Sequence, residues 1–153
     1  MDYRALSPAG LEVSPICLGA MMFGAQTTAA LAGRIVAGAR DAGVNFIDTA
    51  DIYADGESER VVGRYIKRDR HDWVLATKFG GGFKRGPNQA GVTRKRLVRQ
   101  LESSLTRLGT DFIDIYYIHI DDQARPLGET ISAMGDLISQ GKARYFGVSN
   151  FRG

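Results

Sequence analysis

A single cysteine, Cys17, occurs in the 153 residues, so no intrachain disulfide can form and a reducing, cytoplasmic setting fits. Histidine is nearly as scarce: His71 and His119 are the only two. No apolar run approaches the roughly 20 residues that a membrane helix needs, and the opening MDYRALSPAGLEV lacks the apolar core of a secretory leader. An excess of charge is missing too. Twenty basic and seventeen acidic residues leave a net +3, short of the basic surplus that nucleic-acid binders carry. The basic residues that do cluster (Lys84, Arg85, Arg94, Lys95, Arg96 and Arg99) read as a solvated loop and helix face, with phosphate binding as the lesser alternative. What remains is the composition of a soluble α/β protein, 44% hydrophobic and 24% charged, long enough to bury a core.

Short apolar or aromatic runs alternate with longer stretches of helical periodicity. The runs are Pro15–Leu18, Val44–Asp48, Trp73–Phe79, Phe112–His119 and Ala143–Ser149. Between them, four sets share one helical face each: Leu31, Ile35, Ala39 and Ala42; Val61, Val62, Tyr65 and Ile66; Leu97, Leu101, Leu105 and Leu108; Leu127, Ile131, Met134 and Ile138. Thr93 is a candidate N-cap, and Gly43, Gly109 and Gly141 stand where a left-handed residue would end a helix. Cys17, inside Ile16-Cys17-Leu18, reads as a small buried side chain. Ser7-Pro8-Ala9-Gly10, between Tyr3–Leu6 and Leu11–Val13, reads as the turn of a β-hairpin.

Strand–helix alternation with short connections predicts parallel strands and right-handed crossovers. A doubly wound sheet and a (β/α)₈ barrel both satisfy this. The dinucleotide-binding form of the former wants G-x-G-x-x-G after its first strand, whereas Leu18-Gly19-Ala20-Met21-Met22-Phe23-Gly24 lacks that spacing. The later Gly80–Gly86 stretch leads into Pro87-Asn88-Gln89 rather than directly into a helix, so it reads as a mobile loop over a site. In a barrel, Asp48, Tyr53, Lys78, His119, Ser149 and Asn150 would all fall on the C-terminal rim, where barrel active sites are built. A metal-hydrolase reading of His119, Asp121 and Asp122 fails for want of histidines, because His71 precedes its strand and belongs to the opposite rim.

The segments Asp48-Thr49-Ala50-Asp51-Ile52-Tyr53, Ala76-Thr77-Lys78-Phe79-Gly80, Tyr117-Ile118-His119 and Gly147-Val148-Ser149-Asn150-Phe151, in this order, resemble the aldo-keto reductases. Leu18-Gly19 and Gly56-Glu57-Ser58-Glu59 fit the same pattern, and the likeness is strongest to bacterial reductases and potassium-channel β-subunit relatives. His119-Ile120-Asp121-Asp122 departs from the His-x-Pro-Asp often found there. The resemblance implies NADPH as hydride source, a small carbonyl substrate, and Tyr53 as the proton donor. A phenol ionises near pH 10 and a neighbouring ammonium favours the phenolate; Lys78, held by Asp48, would supply that charge, and His119 would orient the substrate oxygen. Ser149 and Asn150 would bind the nicotinamide carboxamide. Gly19 and Met21 would lie along the cofactor, while Met21, Met22 and Phe151 read equally as pocket wall or core.

A complete barrel of this kind takes about 250 residues. The expectation is therefore an incomplete (β/α)₈ barrel: an N-terminal hairpin, four strand–helix units and a fifth strand, one domain over 1–153 that forms the N-terminal half. Its open edges suggest a truncated product, self-association or a complementing chain. The alternative to a reductase is a non-catalytic fragment, or a nicotinamide-sensing or partner-binding subunit.

Overall fold

The computed structural model describes residues 1–6, 8, 10–81, 88–124 and 126–152. Strands β1 (Arg4–Ala5) and β2 (Glu12–Val13) pair antiparallel as the expected hairpin, while Ser7 and Ala9 of its turn lie outside the described residues. Asn45 ties this hairpin to the next layer. Its Oδ1 accepts from Ser14 N at 2.7 Å and its Nδ2 donates to Glu12 O at 3.1 Å.

Five strands follow: β3 (Cys17–Gly19), β4 (Phe46–Asp48), β5 (Val74–Phe79), β6 (Ile113–Ile118) and β7 (Ala143–Val148). All neighbours are parallel and stand in chain order. A doubly wound sheet reverses direction at a switch point; this sheet never does, which is the order of a barrel wall. Helices α1 (Ala29–Asp41), α2 (Glu57–Ile66), α3 (Arg94–Leu108) and α4 (Leu127–Ser139) form the connections. Crossovers of one hand put every helix on one face. Side chains alternate accordingly. Ile47, Leu75, Phe79, Tyr116 and Ile118 join the helix-side core, whereas Val74, Ala76 and Ile115 form a second cluster on the inner face with Val13 of the hairpin. By the same two-residue period, Lys78 points to the inner face.

The expected capping signals hold: Thr93 accepts from Arg96 N at 3.3 Å, and Gly43, Gly109 and Gly141 take φ of 84°, 65° and 73°. Thr28, which sequence reasoning did not single out, caps α1 in the same way, accepting from Leu31 N at 3.3 Å. Both inner helices bury their predicted stripes: Leu97, Leu101, Leu105 and Leu108 on α3, and Val61, Val62 and Ile66 on α2 with Tyr65 half-buried. The outer helices depart from expectation. On α1 the buried pair is Ala32 and Val36, while Leu31 and Ile35 are 39% and 36% exposed. On α4, Thr130, Ala133, Met134 and Leu137 are buried but Ile131 and Ile138 are exposed. The reason is flanking: α2 and α3 have a helix on each side, whereas α1 packs beside α2 and α4 beside α3.

Two further expectations are corrected. Cys17 is exposed rather than buried, because β3 has only β4 beside it in the sheet. Arg96 is not on a solvated face. It is buried, and its guanidinium donates to Gly91 O at 2.9 Å and Gly81 O at 2.7 Å, pinning the segment that precedes α3. Arg94 pairs with Asp136 at the surface, and Lys84 and Arg85 lie outside the described residues, as does most of the expected loop Gly80–Gly86.

The tightest helix contact is at Gly63 of α2, where a Cβ would stand 2.1 Å from Leu108 O. At Gly38 of α1 a Cβ would meet nothing within 4 Å. Gly63→Ala should therefore destabilise the protein by about 1–3 kcal/mol through overpacking, whereas Gly38→Ala should stabilise it by about 0.5–1 kcal/mol through helix propensity. Urea unfolding of the two variants measures the contrast; equal shifts would contradict the packing described.

Candidate active site

The site is built where β4 and β5 end. Asp48, the last residue of β4, is in register with Ala76, two residues before Lys78, so both charged side chains rise from the same face. Lys78 is only 7% exposed. A buried ammonium needs an acceptor for each of its protons, and three are present. Nζ donates to Asp48 Oδ1, to Thr49 O at 2.9 Å and to the Tyr53 hydroxyl oxygen at 3.3 Å. It also stands 5.0 Å from the Tyr53 ring centroid.

Tyr53 reaches this position through an unusual turn. After β4 the chain continues along β5, with Thr49 N donating to Ala76 O at 2.9 Å and Asp51 N to Lys78 O at 3.1 Å. A short 3-10 stretch, Tyr53–Gly56, then leads into α2, and within it Ala54, Asp55 and Gly56 have φ of 48°, 54° and 87°. Left-handed backbone costs a non-glycine residue roughly 1–2 kcal/mol, so Ala54 and Asp55 are held against their preference.

His119 follows β6, its N–H donating to Phe79 O at 2.7 Å. Its ring meets that of Tyr53 edge to face, with centroids 5.9 Å apart. Burial and the Lys78 charge push the imidazole pKa below its ordinary value, against a smaller opposing pull from Asp48. The ring is therefore neutral near pH 7. Its Nδ1 is buried and, among the described residues, has no hydrogen-bond partner. At the end of β7, Ser149 N donates to Ile118 O at 2.9 Å, and Asn150 Nδ2 donates to His119 O at 2.9 Å and Ser149 Oγ at 3.0 Å. Asn150 is itself left-handed, with φ of 59°.

Gly19 is in register with Asp48, and a Cβ there would meet nothing within 4 Å. Met21, on the turn beyond β3, is 52% exposed, and Met22 is exposed as well. Phe151 is half-buried and packs against the helix-side core. A recess of about 940 Å³ opens at the other end of the strands, between Arg70, His71, Glu102 and Lys142. His71 thus lies far from His119, and no group of three metal-ligating side chains occurs among the described residues. Although Cys17 as a residue is exposed, partial desolvation of its thiol and the Asp48 charge raise the thiol pKa to about 12, against the pull of Lys78. No described helix is long and apolar enough to cross a membrane.

Sequence reasoning passed over the layer behind these residues. Ser58 and Glu59 are buried there, with Thr77 of β5 and Arg107 of α3 against them. The cue was present: Glu59 shares the helical face of Val62 and Ile66, so a charge sits on a buried stripe. Asp51 belongs to the same layer. Burial and the Glu59 carboxylate raise its pKa to about 7, against the pull of Arg96 and Arg107. A carboxyl raised in the folded state binds its proton more tightly there than in the unfolded chain, so stability is lost as pH rises from about 4 to 7. Asp51→Asn should leave stability nearly unchanged below pH 4 and raise it by roughly 1–3 kcal/mol at pH 8. Denaturant unfolding at both pH values checks this.

The Aldo/keto reductase family profile matches residues 15–152. The chain is 41% identical over 157 residues to a probable voltage-gated potassium channel subunit beta of Oryza sativa subsp. japonica, covering 99% of this chain and 47% of that protein. It is 38% identical over 157 residues to aldo-keto reductase YhdN of Bacillus subtilis (strain 168), again covering 99% of this chain and 47% of the relative. An aldo-keto reductase of Bacillus halodurans, solved in its holo form, superposes with a TM-score of 0.90 at 36% identity, over 99% of this chain and 51% of that one. The chain thus spans about half the length of the curated relatives it matches. Its five-stranded parallel wall is part of a (β/α)₈ barrel. The profile match over nearly every residue, on a fold this similar, makes the chain a member of the aldo/keto reductase family.

Proposed function

We propose that the protein reduces small aldehydes or ketones to alcohols with NADPH, with Tyr53 giving the proton to the carbonyl oxygen. The observation that carries this reading is the use of all three Lys78 protons, one of them on the Tyr53 oxygen. A phenol that loses its proton leaves a phenolate, and the adjacent ammonium stabilises that charge. Asp48 keeps Lys78 charged and aimed. When bound, the nicotinamide supplies the hydride, which no side chain can.

The buried Nδ1 of His119, which has no partner among the described residues, costs less as a bare lone pair than as an N–H. The proton of the neutral ring therefore belongs on Nε2, where it can donate to the substrate oxygen beside Tyr53 and orient it. Ser149 and Asn150 suit a carboxamide. Asn150 spends its N–H groups on His119 O and Ser149 Oγ. That leaves its Oδ1 as an acceptor and the Ser149 hydroxyl as a donor, the complement of an amide's NH₂ and C=O. Gly19 leaves open space beside Asp48 for the cofactor, with Met21 at the margin.

Turnover on this reading needs a closed barrel. β3 and β7 are sheet edges, and Phe146 and Val148 on β7 are 43% and 51% exposed. A complementary segment or a second copy of the chain would pair those edges. The second reading, a non-catalytic nicotinamide-sensing or partner-binding subunit, draws on the identity to the rice protein named as a probable channel subunit.

NADPH oxidation with a panel of small aldehydes and ketones, followed by absorbance, tests the proposal. Tyr53→Phe and Lys78→Met should each lower kcat by about 10²–10⁴-fold while leaving NADPH affinity, read by fluorescence titration, close to the parent. NADPH binding without turnover of any carbonyl would favour the sensing subunit. Turnover that survives Tyr53→Phe would overturn the proton-donor assignment.

A further inference from the structure

The residues on either side of the site's charged groups are gripped from behind by one turn of helix. Thr49, next to Asp48, and Thr77, next to Lys78, point to the helix side and are fully buried. Both end on α2. The Thr49 and Ser58 hydroxyls lie 2.8 Å apart, and Ser58 Oγ donates to Ala20 O at 2.7 Å. Because Ser58 spends its one proton on Ala20, Thr49 must be the donor in the first bond. Ser58 thereby joins the ends of β3 and β4.

Glu59, the next residue, takes the end of β5. Its Oε1 accepts from Thr77 Oγ1 at 2.7 Å, and its Oε2 accepts from Arg107 Nε at 2.5 Å. Arg107 also donates to Ser104 Oγ at 3.2 Å. Its side chain runs directly beneath the left-handed turn, since a Cβ on Gly56 would come within 2.7 Å of Arg107 Cδ. Glu59 is entirely buried, so its charge has no solvent to fall back on and its two partners are obligatory.

Resting on the reductase reading above, we propose that Ser58 and Glu59 are positioning residues for the proton transfer. Together with Arg107 they set the spacing of Asp48, Lys78 and Tyr53 by fixing the strand positions beside the first two and the turn that carries the third. None of them touches the reacting atoms. The left-handed backbone at Ala54 and Asp55 is what the clamp resists: without Arg107 packed under Gly56, the turn can relax and carry Tyr53 away from Lys78.

The test is a double variant, Glu59→Gln with Arg107→Met, which removes both charges and so leaves neither buried alone. Ser58→Ala is the milder companion should the double variant fail to fold by circular dichroism. We expect kcat to fall about 10–100-fold, since a misplacement on the order of 1 Å can cost that much, with KM and NADPH affinity within about twofold of the parent. A residue that only stabilised the fold would not split kcat from KM in this way. A second readout does not depend on turnover: the ¹³Cζ resonance of Tyr53, assigned by its loss in Tyr53→Phe, should shift in the same direction as in Lys78→Met. If the parent protein with its barrel closed turns over no carbonyl, the reductase reading fails and the Tyr53 resonance alone decides the positioning role. Folded variants with parental kcat, or, where there is no turnover, with an unmoved Tyr53 resonance, would overturn it.

Discussion

A charged ammonium with almost no exposure to water is the constraint on which this half-barrel's upper rim is organised. Lys78 can remain ionised only if nearby oxygens replace the solvent it has lost. The rim supplies one oxygen from the end of the adjacent strand, one from the backbone after it, and one from a phenol brought back by the following turn. Each requires a different piece of chain to be in place. Parallel register puts Asp48 diagonally beside Lys78, continuation of β4 alongside β5 presents Thr49 O, and the left-handed turn returns Tyr53. The electrostatic demand of one side chain thus accounts for the geometry of the end of β4 and of the turn that follows it.

The same logic extends outward in two directions. Towards β6, the Lys78 charge is one of the two forces that keep His119 neutral, so the two groups bear on each other without touching. Away from the inner face, the alternation of a strand makes the neighbours of inward-pointing residues point outward. Thr49 and Thr77 are therefore natural handles on Asp48 and Lys78, and α2 meets both with polar side chains where a helix against a sheet would ordinarily present aliphatic ones. Asp51, in the same layer, is pushed by burial and by Glu59 to keep its proton to higher pH than a carboxylate in water.

Much of this was legible in the sequence because it depends on local pattern. Strand runs, the leucine stripe of α3, the Thr93 cap and the three helix-ending glycines need nothing beyond neighbours a few residues away. The nearness of Asp48, Tyr53, Lys78 and His119 was legible for a different reason: three of them stand at or just past strand ends and Tyr53 on the turn after β4, and these positions share a rim in a parallel barrel. What stayed hidden depends on who packs beside whom. Leu31 and Ile131 look as apolar as Leu97, yet only a helix flanked on both sides covers its whole stripe. Arg96 looks like a surface cation until the carbonyls of Gly81 and Gly91 converge on it. Cys17 sits in an apolar run, but an edge strand covers less than a central one.

The strictly sequential strand order bears on how the chain is made. Each strand of this sheet pairs with the one synthesised just before it, so a newly emerged strand–helix unit finds its partner already in place, without waiting for residues still to come. Growth of that kind is vectorial. The polar grip of α2 on the ends of β3, β4 and β5 can form before α4 or β7 has left the ribosome, as soon as α3 has supplied Arg107. The part of the rim that holds Asp48, Tyr53 and Lys78 can thereby be in place before His119, Ser149 and Asn150 join it.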